Sequence, residues 1–166
     1  MNLEYPYQLV AFLDKEPKIG EPVYGGKNGW YPQAALKRRF KIIGLSENEL
    51  FLKIGQYCQN SESFDIKTGT LTQPDRMPVK ILEITPSPQL MKFHQDFIAY
   101  MGDELASRYP ERDGASYFPH VTAEYNGEMV IRDELFSNKE FQINNVLLLK
   151  DTKDEDSVAC RKFDLL

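Results

Sequence analysis

The sequence has few of the residues that build metal centres and disulfide frameworks. It contains two cysteines, Cys58 and Cys160, and two histidines, His94 and His120. The cysteines are too few for a disulfide framework, and they do not have the spacing of metal ligands. No carboxylate cluster stands at ligand spacing either. We therefore expect no metal centre and no other cofactor.

Basic residues are fewer than acidic ones. The chain carries 20 Lys and Arg against 25 Asp and Glu, which gives a formal net charge of −5 and a pI near 5.1. Nonspecific binding along a nucleic acid depends on many Lys and Arg contacts to phosphates. The composition thus argues against extensive nonspecific nucleic-acid binding, and any such partner is expected at a local site.

Long apolar runs are missing as well. No stretch approaches the length that spans a bilayer, and the N-terminal residues lack a basic start followed by an apolar signal run. These absences predict a cytoplasmic protein with no membrane partner. The composition, 42% hydrophobic and 12% aromatic over 166 residues, is typical of one globular domain. We expect a single bilobal domain over residues 1–166; the oligomeric state does not follow from the sequence.

Short apolar, strand-forming runs alternate with two amphipathic helices. Ser46 and Glu49 form a capping-box pattern for the first helix, and Pro88 is typical of the first position of the second, whose apolar stripe continues to about Arg108. A short helical turn is predicted over residues 133–136. The predicted strands cover residues 7–13, 35–43, 64–71, 79–85, 117–125, 141–150 and 157–165.

The segment from residue 14 to residue 33 is rich in glycine and proline, so it is predicted to be a long loop. Loops of this length inside a domain are often functional, and this one carries Tyr24 and Trp30, whose rings are suited to stacking on a base. The alternative is that these aromatic side chains pack the loop onto the body of the protein.

The candidate catalytic residues lie in the strand-like stretch 117–125. Side chains alternate along a strand, so His120, Thr122 and Glu124 are predicted to project to one face and Tyr125 to the other. An imidazole transfers protons near pH 7, and a neighbouring hydroxyl can hydrogen-bond a phosphate oxygen. The pair therefore indicates phosphoester chemistry, although a strand histidine beside a threonine is also common as a solvated or structural pair.

The other histidine has a different setting. His94 lies beside the apolar stripe of the second helix, which favours a packed structural role over a catalytic one.

The two halves of the chain show an approximate duplication. Each half has a strand with two polar side chains on one face, Arg39 and Lys41 in the first half and His120 and Thr122 in the second. We expect these two strands to face a common cleft.

The run Phe118-Pro119-His120-Val121-Thr122 is similar to the second histidine-x-threonine motif of the two-histidine (2H) phosphoesterase superfamily. That superfamily includes the bacterial 2'-5' RNA ligase or 2',3'-cyclic phosphodiesterase proteins, and the resemblance extends over nearly the whole chain. It implies an α+β fold in which two pseudo-symmetric, strand-rich lobes surround a central cleft, each lobe with a helix on its outer face.

The first motif of that family is degenerate in this chain. The matching place reads Arg39-Phe40-Lys41-Ile42-Ile43-Gly44, without a histidine or a threonine. An arginine stays protonated at any accessible pH and cannot act as a base. Arg39 and Lys41 can instead bind phosphate, so the catalytic roles implied by the resemblance extend only to His120 and Thr122.

Three functions remain open at this point. The first is a divergent phosphodiesterase for an RNA- or nucleotide-derived phosphoester, of the 2',3'-cyclic phosphate or 2'-5' linkage class, with His120 as its single imidazole. The second is a catalytically impaired protein that binds a nucleotide or RNA phosphate. The third is a structural relative with a vestigial cleft. Arg39, Lys41, Trp30 and Tyr24 are the predicted substrate-binding residues.

Overall fold

Strand-forming sequence dominates the chain, and this computed structural model describes residues 2–24, 30–125, 127–154 and 156–166. The helices are α1 (Glu47–Gln59), α2 (Pro88–Met101) and α3 (Asp133–Phe136). No helix in these ranges is long and apolar enough to cross a membrane. The strands are β1 (Tyr7–Phe12), β2 (Gln33–Ile42), β3 (Phe64–Thr72), β4 (Ile81–Ile84), β5 (Leu105–Ser107), β6 (His120–Thr122), β7 (Glu124–Tyr125), β8 (Glu128–Met129), β9 (Glu140–Ile143), β10 (Asn145–Lys150) and β11 (Val158–Asp164).

The helix starts follow the predicted caps. The Glu49 amide donates to the Ser46 hydroxyl at 3.2 Å and the Ser46 amide donates to the Glu49 carboxylate at 2.6 Å, which completes the capping box of α1. The Leu90 amide donates to the Ser87 hydroxyl at 3.1 Å at the start of α2. Helix α1 buries its apolar face, and Cys58 lies in the core.

The strands form one antiparallel sheet in the order β11-β10-β1-β2-β6-β4-β3-β9, with β5 beside β2. Three strands of this order therefore lie on each side of the central β2–β6 pair. Helix α1 packs on β11 in one half, and α2 packs mainly on β3 in the other. The predicted α+β fold with two strand-rich lobes, each covered by a helix, is confirmed.

The sheet is strongly curled. Strands β9 and β10 are separated by Asn144 alone, yet β9 pairs with β3 at one end of the strand order and β10 pairs with β1 near the other. The two ends of the sheet must therefore come close together. The sequence predicted one continuous strand over residues 141–150, because nothing local marks the crossing from one lobe to the other.

Two apolar clusters stabilise this arrangement. The larger one fills the space between the sheet and α1 and α2. The smaller one lies on another part of the sheet, where Val10, Phe12 and Leu149 are covered by Val23 and Tyr31 of the long loop. The described part of that loop is thus packed against the body of the protein.

The second helix is shorter than its pattern predicted. It ends at Met101, and Gly102 follows with a φ of 54°, in the left-handed region that favours glycine. Leu105, which continues the helical spacing, instead begins β5 and pairs with Ile42 of β2. The prediction was wrong here because β2 has a free edge at this point, and strand pairing satisfies its backbone groups.

The strand that carries His120 is also shorter than predicted. Pairing with β4 ends at Thr122, and the Ala123 amide donates to the Lys80 carbonyl at 2.9 Å. The chain then forms a separate two-stranded ribbon of β7 and β8. Because of this break Tyr125 does not continue the buried face of Val121, and its ring stacks on Tyr24 instead.

A buried ion pair fastens β2 to the turn after β10. Arg39 Nη1 lies 2.7 Å from Oδ1 of Asp151, whose side chain is fully buried. The same carboxylate accepts hydrogen bonds from the amides of Ser157 at 2.8 Å and Asn2 at 2.6 Å. Burial by itself would raise the pKa of Asp151, but Arg39 and these amides hold it below its usual range.

His94 joins α2 to two other parts of the fold. Its Nδ1 lies 2.7 Å from the Leu36 carbonyl, its Nε2 accepts from the Gly114 amide at 3.0 Å, and its ring stacks on Tyr117 with centroids 3.9 Å apart. Since a carbonyl oxygen only accepts, Nδ1 carries the proton and the ring is neutral. Burial lowers the pKa of His94. The predicted packed role of this histidine is confirmed.

We predict that Asp151→Asn lowers the free energy of unfolding by about 3 kcal/mol, at the lower end of the range for breaking a buried ion pair, because Arg39 loses its counter-charge. Urea denaturation at pH 7 measures this loss. The matched control is Lys41→Gln, since Lys41 pairs with the exposed Glu4 at 3.8 Å and such a pair contributes less than about 1 kcal/mol. Equal losses in the two variants would contradict the prediction.

The lowered pKa of His94 also predicts a pH dependence. Unfolded histidine takes up a proton near pH 6.5 whereas folded His94 stays neutral, so stability is present above about pH 6.5 and is lost as the pH falls below it, by up to about 1.4 kcal/mol per pH unit. Urea denaturation at pH 7.5 and pH 5.5 should show a smaller difference in His94→Gln than in the wild type. An unchanged difference would place the titrating group elsewhere.

Candidate active site

A cavity of about 520 Å³ opens where the two central strands separate. Strand β2 pairs with β6 only at Ala34 and Val121, and it then pairs with β5 from Phe40 onward. The connection between β5 and β6 crosses the resulting gap. The residues lining the cavity are Lys37, Arg38, Arg39, Pro74, Asp75, Arg76, Met77, His94, Tyr109, Arg112, Asp113, Ser116, Tyr117, Phe118 and His120.

His120 lies half-buried in this lining. Its Nδ1 is 3.0 Å from the Phe118 carbonyl, which can only accept, so Nδ1 carries the proton. The lone pair of Nε2 is free of hydrogen bonds to the residues that the structure describes. Burial lowers the pKa of His120, and the positive charges of Arg38 and Arg112 lower it further, against the opposing effect of the Phe118 carbonyl. A neutral imidazole with a free Nε2 can act as a base near pH 7.

Lys37 lines the same cavity and is held by two contacts. Its buried Nζ lies 3.1 Å from Oδ1 of Asp113 and donates to the Arg38 carbonyl at 3.0 Å. Burial lowers the pKa of Lys37, and the Asp113 carboxylate opposes that shift. The ion pair holds the β5–β6 connection against β2 and so keeps one side of the cavity in place.

Arg38 is the cation of β2 whose charge acts on His120. It is half-buried, and no carboxylate in the described ranges pairs with it. Burial lowers the pKa of Arg38, and the nearby positive charge of Arg112 adds to this effect. An unpaired guanidinium beside a neutral imidazole is suited to holding one phosphate oxygen while the imidazole moves a proton.

The sequence did not predict Arg38 because β2 is irregular. Its register against β1 shifts between Ala35 and Lys37 and again between Lys37 and Phe40, which is the pattern of β-bulges. A bulge adds a residue to one strand and redirects the side chains that follow. Simple alternation along residues 35–43 therefore missed Arg38 and assigned Lys41 to the cavity of His120.

The predicted pair Arg39 and Lys41 is divided by the structure. Arg39 lines the cavity, but its guanidinium is paired with Asp151. Lys41 does not line the cavity; its Nζ lies 3.8 Å from Glu4 and 4.9 Å from the centre of the Tyr5 ring. The structure thus brings Arg39, and not Lys41, to the cavity of His120.

Thr122 follows His120 on β6, with the fully buried Val121 between them. The two polar side chains therefore share a face of the strand, as alternation predicted. Thr122 is half-buried and lies outside the cavity lining, which extends from His120 toward Phe118.

The predicted aromatic residues of the long loop form a cluster of their own. The ring centroids of Tyr24 and Trp30 are 4.3 Å apart, and Tyr24 stacks on Tyr125 at 5.0 Å. Gln33 Nε2 donates to the Tyr24 hydroxyl at 2.7 Å, and burial raises the pKa of Tyr24 to about 12. Neither Tyr24 nor Trp30 lines the cavity, and their ring faces are turned toward each other and toward Tyr125.

Phe118 is the aromatic residue that the cavity offers instead. Its side chain is 46% exposed, it lines the cavity, and its ring centroid lies 5.6 Å from that of His120. The motif around His120 contains this residue, but only its exposure in the fold distinguishes it from a core phenylalanine.

In the described ranges, no group of three or more His, Cys, Asp or Glu side chains is placed to hold a metal ion.

Comparison with known proteins rests on structure alone, since no family model and no curated protein sequence matches the chain. A protein described as a phosphoesterase superposes with a TM-score of 0.61 at 13% identity, over 97% of this chain and 98% of the other. Escherichia coli LigT complexed with 3'-AMP gives 0.58 at 13% identity, over 97% and 98%. TT0787 of Thermus thermophilus gives 0.57 at 14% identity, over 96% and 97%.

The chain has the fold of these phosphoesterase and LigT structures. The match extends over nearly all of each protein, so both lobes of that fold are present. The fold that the resemblance implied is therefore confirmed, whereas identities of 11–14% say nothing about individual side chains.

The charges around the cavity predict the titration of His120. Its imidazole should titrate below the usual value of about 6.5. Arg38→Gln should raise this pKa toward 6.5, because removing a nearby positive charge favours the imidazolium. NMR of the imidazole resonances against pH measures the shift. The charge-matched control is Lys92→Gln, on the exposed surface of α2, which should leave the pKa of His120 unchanged. If Arg38→Gln also left the pKa of His120 unchanged, the described geometry would be contradicted.

Proposed function

We propose that this protein is a divergent phosphodiesterase acting on an RNA- or nucleotide-derived phosphoester, of the 2',3'-cyclic phosphate or 2'-5' linkage class, with His120 as its single imidazole. The observation that carries the proposal is the pairing, in one cavity, of a neutral His120 with a free Nε2 and an Arg38 without a carboxylate partner in the described chain.

The assigned roles follow from protonation states. His120 Nε2 takes a proton from the attacking water, and the Phe118 carbonyl keeps Nδ1–H oriented while the ring becomes charged. Arg38 binds a non-bridging oxygen of the phosphate and stabilises the charge that grows on it. Thr122 is a further candidate phosphate ligand at the edge of the same strand face.

The leaving oxygen also needs a proton. In this arrangement no second imidazole is available, because both nitrogens of His94 are used in structural hydrogen bonds. We infer that the imidazolium formed at His120, or solvent, supplies that proton. Loss of one positioned proton-transfer group typically reduces a rate by about 10²- to 10⁴-fold, so slow turnover is expected.

The nucleotide character of the ligand rests on two points. Phe118 presents an exposed ring face beside His120, where a base can stack. E. coli LigT, which shares the fold, has been solved in complex with ATP, with 3'-AMP and with NADP+. A nucleotide phosphoester is therefore the ligand class that we assign to this cavity.

The alternative is a protein that binds a nucleotide or RNA phosphate without turning it over. The specific observation in its favour is Arg38, a permanent cation of β2 that lines the cavity directly before the degenerate first motif at residues 39–44. A binding role requires Arg38 and Phe118 but not the free lone pair of His120.

Mutation should separate binding from turnover. His120→Ala should abolish hydrolysis of 2',3'-cyclic AMP while affinity for 3'-AMP stays within about threefold. Arg38→Gln should weaken 3'-AMP binding by about tenfold or more, which corresponds to losing a hydrogen bond between charged groups. Chromatography of the products and titration calorimetry provide the two measurements.

Lys41→Gln is the matched control, since it removes one positive charge of β2 outside the cavity lining. It should leave both turnover and 3'-AMP affinity unchanged. Wild-type protein that binds 3'-AMP but yields no product from cyclic or 2'-5'-linked nucleotides would favour the binding protein. Wild-type protein that does not bind 3'-AMP would contradict both functions.

A further inference from the structure

The cavity holds more positive charge than its own carboxylates neutralise. Five Lys and Arg side chains of the described chain line it, and two of these, Lys37 and Arg39, have carboxylate partners at 3.1 and 2.7 Å. The other three have no ion pair within the described residues. These three are Arg38, Arg76 and Arg112.

Two of the unpaired arginines line the same cavity and affect each other electrostatically. The charge of Arg112 lowers the pKa of Arg38, after the larger effect of burial. Arg112 is kept at the cavity by the Tyr109 ring, whose centroid lies 4.8 Å from its Cζ. Like charges at close range destabilise one another, and a bound anion relieves this repulsion.

The charge balance indicates the valence of that anion. Among the carboxylates of the lining, Asp113 is paired with Lys37, which leaves Asp75 to face three arginines. With His120 neutral, about two positive charges remain in excess. A phosphodiester carries a single negative charge, so by itself it leaves about one positive charge of this excess unmatched. A second phosphate group, which carries about 1.5 to 2 negative charges near pH 7 when it is terminal, more than supplies the missing charge.

We propose that the ligand carries two phosphate groups, the reacting phosphoester at His120 and Arg38 and a terminal phosphate at Arg112 and Arg76. Arg38 is half-buried whereas Arg76 and Arg112 are exposed, so the second phosphate lies nearer the mouth of the cavity. This inference rests on the proposed function and narrows its substrate class. Two sources share this chemistry, namely phosphates on different positions of one nucleoside and a contiguous diphosphate chain.

Titration calorimetry with 3'-AMP, adenosine 3',5'-bisphosphate and ADP, at one ionic strength, tests the proposal. Wild-type protein should bind the bisphosphate about tenfold or more tightly than 3'-AMP, as expected for added hydrogen bonds between charged groups. The double variant Arg76→Gln, Arg112→Gln should lose this preference while keeping its affinity for 3'-AMP within about twofold to threefold. If ADP binds as tightly as the bisphosphate, the ligand carries a contiguous diphosphate chain. If ADP binds more weakly than the bisphosphate, the two phosphates are on different positions of the nucleoside.

The matched control is Lys67→Gln, Lys92→Gln, which removes two positive charges from exposed positions outside this cavity. It should retain the preference for the bisphosphate. Equal binding of 3'-AMP and the bisphosphate by the wild type, or equal loss of preference in both double variants, would overturn the second phosphate site and leave the proposed function standing. Failure of 3'-AMP itself to bind would overturn both.

Discussion

Strand β2 carries positive charges in the middle of the sheet, and much of the structure depends on which of these charges are paired with a carboxylate. Lys37 reaches Asp113 in the β5–β6 connection, and Arg39 reaches the buried Asp151 after β10. Each of these pairs fastens β2 to a segment distant in sequence. Burying such charges is unfavourable unless they are paired, so the two contacts fix the position of β2 against both segments.

Arg38 stands between these two paired residues and has no carboxylate of its own in the described chain. It lies within one of the two register shifts that interrupt the pairing of β2 with β1, the shift between Lys37 and Phe40. Strand β2 pairs with β6 only through Ala34, and Arg38 lies beyond this pair, where the cavity opens. If a carboxylate were paired with Arg38, its guanidinium would not be available to bind an anion.

The electrostatics of the cavity also decide what His120 can do. Burial and neighbouring arginines favour the neutral ring, and the Phe118 carbonyl selects the tautomer whose Nε2 is free. At pH 7 such a residue is mostly in the neutral form that can accept a proton, and it can donate a proton only after it has taken one up. With His94 fixed between Leu36 and Gly114, the described cavity has one imidazole for proton transfer and relies on arginine charge for the rest.

Local patterns in the sequence determined the elements of this protein. The caps at Ser46 and Ser87, the apolar stripe of α1, the packed setting of His94 and the position of His120 beside a core strand all follow from interactions between residues close in the chain. The resemblance carried by residues 118–122 then gave the overall fold correctly. These predictions succeeded because hydrophobic periodicity and capping are local properties.

Only the tertiary structure decided which side chains meet. It placed Arg38 rather than Lys41 at the cavity, turned Tyr24 and Trp30 toward Tyr125, exposed Phe118, and ended α2 so that Leu105 pairs with β2. Each of these outcomes depends on strand register, on a bulge or on a partner distant in the chain. Alternation along one strand cannot reveal them, because one extra residue in a bulge reverses the faces of all that follow.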